Sequence, residues 1–182
     1  MKINYSVVCN LVLSSAFALS GSAWSATQGT LGATSTGSIT ITANIASRAQ
    51  ITGLTDVTFT NLDAATSATS AQNVCVFSNA PAKGYSIKAT GSGIAGAFTL
   101  SGSSLTMPYS VQWAVSSGQT TGMPLTAGTA LTGLTTTAVN PTCSSSTTTT
   151  ASLIINIAAS DLQTMTANTP YTGTLTLLVT PT

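Results

Sequence analysis

Gly37-Ser38-Ile39-Thr40-Ile41-Thr42-Ala43-Asn44-Ile45 alternates apolar and polar residues and carries no charge. Successive side chains of a β-strand face opposite sides, so Ile39, Ile41, Ala43 and Ile45 form one apolar row. Such a row needs a groove to lie in. If the groove belongs to the same molecule, the protein is an ordinary closed monomer. If it belongs to the next copy, the contact is head-to-tail and open, and it builds a fibre.

From Ile51 onward, short alternating runs are separated by Gly, Ser, Asn and Pro clusters, the pattern of an antiparallel sandwich or barrel. Val57 and Phe59 mark a first strand after the turn-prone Thr52-Gly53-Leu54. Val74 and Val76, with Cys75 and Phe77 between and beside them, mark a second strand buried on both faces or nearly so. Tyr85, Ile87 and Ala89 alternate with Ser86, Lys88 and Thr90 up to the turn Gly91-Ser92-Gly93, and Phe98 and Leu100 open another run. Tyr109, Val111, Trp113 and Val115 share a face. Gly118 to Gly133 reads as turn-rich, Leu153, Ile155, Ile157 and Ala159 resume alternation, and Ser160-Asp161 begins one helical turn.

The closing run places Leu175, Leu177 and Val179 on one side and Thr174, Thr176 and Thr180 on the other. The outer edge of that strand is expected to lie uncovered, with only Pro181 to blunt it. An immunoglobulin-like sandwich has about seven strands, so a chain one strand short leaves an apolar cleft between its sheets. The row Ile39, Ile41, Ala43 and Ile45 has the character to fill such a cleft.

Lys2, the apolar run Val7 to Leu19 and the small residues Gly21, Ser22, Ala23 and Ser25 read as a secretory signal over residues 1–25. Processing after Ser25, Ala23 or Ala26 fits. A retained anchor is the alternative, but the run is short for a bilayer, and no later stretch spans one. Removing those residues leaves 182 − 25 = 157, enough for one domain and short for two. Residues 26–46 are expected to be an N-terminal extension and 47–182 the domain. The mature chain then sets Arg48, Lys83 and Lys88 against Asp56, Asp63 and Asp161, for no net charge. With 43% hydrophobic and 4% charged residues, its composition favours association over free diffusion. A neutral secreted protein with a hydroxyl-rich surface is the alternative.

Cys9 leaves with the signal, and export makes a bond between Cys75 and Cys143 the default reading, with two free thiols as the other. Chemistry has few bearers in this composition. Without His or Glu, a serine nucleophile has no evident base, and Asp56 with Asp63 reads as a pair of loop-capping aspartates. No catalytic, metal or cofactor site is expected. The spacing of the three Asp suits no Ca²⁺ loop, and no basic patch suits nucleic acid.

Several segments together carry a family resemblance: Thr36-Gly37 through Ile45, Val57-Thr58-Phe59, the Cys75 strand, Gly84-Tyr85-Ser86-Ile87, Tyr109-Ser110-Val111-Gln112-Trp113, and Tyr171-Thr172-Gly173-Thr174 on through Pro181. From about Thr36 to Thr182 the chain resembles the subunits of archaic, Csu-type chaperone–usher pili, whose domain is also called spore coat protein U. The resemblance implies an all-β, incomplete immunoglobulin-like antiparallel sandwich of about six strands, its final strand missing. It further implies a periplasmic chaperone that lends a strand, and an outer-membrane usher where the next subunit's N-terminal segment replaces it. Neighbouring pilus subunits are then the lasting partners, in a surface fimbrium that supports attachment and biofilm formation. Ile39, Ile41, Ala43 and Ile45 resemble the donated row, and Leu175, Leu177 and Val179 one wall of the acceptor cleft. Related shaft subunits tend to carry a Cys near where Ala49 stands, so a minor or adaptor subunit fits better than the major one. A donor segment also argues against a tip adhesin.

The competing reading is a secreted spore-coat-like or carbohydrate-binding sandwich with Trp113 and Tyr109 as its stacking platform. Their alternation with Val111 reads more simply as core.

Overall fold

The computed structural model describes residues 26–102, 104–144 and 149–182; the signal expected over residues 1–25 lies outside them. The chain divides into two units, Met1–Ile45 and Ala46–Thr182. In the first, the described residues hold one isolated antiparallel bridge, Thr27 to Ser38, closed by two N–H···O bonds of 2.9 Å.

In the second, the strands among the described residues are, in chain order, β1 (Ala49–Thr52), β2 (Ala68–Ser78), β3 (Gly84–Gly91), β4 (Thr99–Ser101), β5 (Thr106–Pro108), β6 (Ser110–Ala114), β7 (Met123–Pro124), β8 (Ala130–Thr135), β9 (Ala151–Ile157) and β10 (Leu175–Pro181). A single helical turn, α1 (Ala159–Leu162), falls where Ser160-Asp161 was read as a helix start. The sheets are β1-β2-β9-β6-β7, β10-β3-β8 and the hairpin β4-β5, and every pairing is antiparallel. The protein is therefore all-β, as its turn-punctuated alternation requires. Its strands outnumber the six that the resemblance implies because several are segments of two to four residues.

One core joins the two larger sheets. Val74 and Val76 of β2 and Val111 and Trp113 of β6 meet Tyr85, Ile87 and Ala89 of β3, all almost fully buried. The middle of β2 is buried on both faces because Cys75, Ala138 and Cys143, with Phe77, form a second cluster behind it. With so few charges, hydroxyls satisfy the interior. Ser78 Oγ donates to the Gly84 carbonyl (2.6 Å), and Thr150 Oγ1 accepts the Val76 N–H (2.9 Å). Among the described residues no buried side-chain polar atom lacks a partner.

The structure corrects several strand expectations. Val57 and Phe59 keep their alternating burial but lie in no strand, because Gly53 at φ +82° turns the chain away from β2 after Thr52 and leaves the run without a ladder. The stretch 118–133, read as turns, contains β7 and the start of β8. Strand β6 stops at Ala114, leaving Val115 exposed, and β9 stops at Ile157, so Ala159 enters α1 instead.

Candidate functional site

Strand β10 occupies one margin of the three-stranded sheet, with β3 as its ladder partner over seven residues. The Thr182 N–H donates to the Gly84 carbonyl at 3.1 Å, which makes Thr182 opposite Gly84 a hydrogen-bonded pair. Antiparallel pairs alternate, so Thr180, Leu178 and Thr176 also bond to β3, while the backbone groups of Leu175, Leu177 and Val179 point the other way. Among the described residues, no strand pairs with that side. The burial pattern alternates in step: Leu175, Leu177 and Val179 are half-buried, and Leu178 is exposed.

The outward groups of β10 border a cleft of about 860 Å³, lined mainly by apolar side chains with Asp56, Gln72 and several threonines among them. Leu175 and Leu177 form one wall, and Leu54, Val57, Phe59 and Leu62 supply the other. Leu153, Ile155 and Ile157 of β9, with Met107 and Tyr109, make the floor. The Ser101–Thr172 bridge (N–H···O 2.8 and 3.0 Å) ties the β4-β5 hairpin to the chain just before β10, and Leu100, Tyr171 and Gly173 line the cleft there. Burial raises the Tyr109 phenol above its ordinary range, as expected of a ring on an apolar floor.

The second wall is also an unpaired edge. The backbone of residues 56–60 makes no hydrogen bond to another described residue, and Thr55 is held by a side chain. Gln72 Oε1 accepts the Thr55 N–H at 2.8 Å, and Gln72 Nε2 donates to the Thr55 carbonyl at 3.1 Å. Two lengths of main chain with open hydrogen-bonding capacity thus border one apolar trough, a geometry suited to an extended apolar peptide.

Of the residues read from sequence, Leu175 and Leu177 line the cleft, whereas Val179 packs on the core beside it. Ile39, Ile41 and Ile45 are 74%, 83% and 79% exposed, Ala43 is exposed too, and residues 39–45 belong to no strand. Cys75 and Cys143 are bonded, with Cα atoms 5.9 Å apart. Trp113 is fully buried in the core, whereas Tyr109, also part of the core, stacks on Phe98 with ring centroids 5.7 Å apart and borders the cleft. Asp63 caps a loop, its Oδ1 accepting the Ala65 N–H at 2.9 Å.

The wall at residues 54–62 and the role of Gln72 were not read from sequence. The alternation of Val57 and Phe59 announced an apolar face but not its lack of a ladder. Gln72 had one faint signal, a long polar side chain on the Ala68, Ser70, Val74 side of β2. No helix among the described residues is long and apolar enough to cross a membrane. Compared with known proteins, the chain matches no protein-family model and no curated protein.

Proposed function

We propose that the chain is a structural subunit of a chaperone–usher fibre, exported through the periplasm and polymerised at the cell surface by donation of residues 39–45 to the cleft of the next subunit. The observation that carries this reading is the trough between two unpaired edges, in a chain that also holds an exposed, uncharged, alternating row. The chemistry is complementary. The row brings three Ile and one Ala, and each fully buried Ile contributes roughly 2 kcal/mol. Its main chain meets the outward N–H groups of Leu175, Leu177 and Val179.

Until a neighbour supplies the row, the trough leaves apolar surface and strand edges open. A periplasmic chaperone lending a strand, and an outer-membrane usher where exchange occurs, answer that exposure. No catalysis, cofactor or nucleic acid enters this role. The resemblance to Csu-type subunits supports the same reading, and the absence of a Cys near Ala49 favours a minor or adaptor place in the fibre.

The test is complementation between half-dead subunits. Ile41→Asp removes the donor and leaves the acceptor, whereas Leu177→Asp does the reverse. Neither should form fibres alone, and the mixture should stop at one-to-one pairs. Fibres from Ile41→Asp alone would overturn the proposal, as would a stable wild-type monomer that shows no tendency to polymerise.

A further inference from the structure

Beyond the strand-receiving role of the cleft, on which this rests, we infer that Gln72 is the positioning residue that holds the second wall of the trough open and aligned. After Thr52 the β1-β2 ladder ends, and Gly53 carries the chain off the edge of β2. Two collapses are then available to residues 54–59. They can fall back on the free margin of β2 and prolong the ladder, or move across and pair with β10, closing the trough from within.

Gln72 blocks both. From a half-buried position on β2, one carboxamide engages both backbone groups of Thr55, and its Oε1 also lies 3.1 Å from Thr55 Oγ1. This reproduces a ladder pair at the length of a side chain rather than at strand spacing, so the wall stands away from β2 with its remaining groups unspent. A carboxamide is suited to the task because it offers a donor and an acceptor at once. The apolar faces of Val57 and Phe59 then line the trough at a fixed offset from Leu175 and Leu177. Gln72 thus acts on an incoming strand through Thr55 by presetting the slot, which lowers the ordering cost of docking.

The test uses the full chain carrying Ile41→Asp, so that its own row is silenced, and a fluorescent peptide spanning residues 37–46 as the probe. Gln72→Ala should weaken peptide binding about tenfold or more, with little change in thermal midpoint. Gln72→Glu, which keeps the acceptor for the Thr55 N–H and loses the donor to its carbonyl, should fall between; it carries the same comparison if the alanine variant folds poorly. Exchange of the Thr55 amide, whose acceptor is Gln72 Oε1, should accelerate in Gln72→Ala while β3 and β9 stay protected. Equal binding by parent and variant overturns the role of Gln72, as does unchanged exchange of the Thr55 amide. A parent that binds no peptide at all overturns the strand-receiving reading instead, a distinct result.

Discussion

Trp113 and Tyr85 are joined across the sandwich: the indole Nε1–H on β6 donates to the Tyr85 hydroxyl on β3 at 2.9 Å, and both side chains are almost wholly buried. This is a polar tie between the two sheets, which the Ser78–Gly84 hydrogen bond also joins, within a largely apolar core. Tyr85→Phe removes the acceptor and leaves the indole N–H buried without a partner. The expected loss is about 1–3 kcal/mol, read as a lower urea midpoint at unchanged m-value. An unchanged midpoint would show that the tie carries no net stability.

Alkaline pH acts on the same core. Burial raises the Tyr85 phenol above 10.0, opposed in part by the hydrogen bond from Trp113, and burial raises Tyr109 as well. Both groups hold their protons more tightly when folded, so their contribution is complete below the unfolded value of about 10 and is lost as pH climbs through the folded values. Urea unfolding should show stability falling from about pH 10 upward. The double variant Tyr85→Phe, Tyr109→Phe should flatten that fall.

The Cys75–Cys143 bond closes a separation of 68 residues, and its sulfurs are buried behind β2. Replacing both by Ser should cost roughly 4 kcal/mol, mostly by freeing the unfolded chain. The comparison is equilibrium unfolding of the double variant against the oxidised protein. Loss of strand signal in native buffer would mean that the bond is required for folding itself.

Filling the trough should stabilise the domain by mass action. With its own row silenced by Ile41→Asp, the chain should gain about 2.7 kcal/mol from peptide 37–46 at a hundredfold excess over Kd. A peptide with Ile41 replaced by Asp should give no such gain. A thermal midpoint indifferent to both peptides would count against the trough as the receptor.

Leu177→Asp separates assembly from folding at the acceptor. Leu177 is only half-buried and borders the trough, so the charge should reach water while the trough is empty and be trapped once a strand lies over it. Peptide affinity should fall by at least about a hundredfold, with strand content by circular dichroism retained. Undiminished affinity would move the docking surface elsewhere.

Much of this molecule is legible in its residues. The two-residue alternation in Tyr85-Ile87-Ala89, Val111-Trp113 and Leu175-Leu177-Val179 specifies strands whose apolar side chains share one inward face, because side-chain direction along a strand follows sequence parity. A bond between Cys75 and Cys143 is likewise the default reading of the residues, and the fold holds it. Which edges remain unpaired is not local information. Val57 and Phe59 read as a strand like any other, and only the assembled fold reveals that Gly53 has carried them away from β2 while Gln72 holds Thr55 from a distance. Parity reports a residue's face, whereas a ladder requires a second length of backbone at strand spacing, and where that backbone lies is decided by packing of segments far apart in the chain.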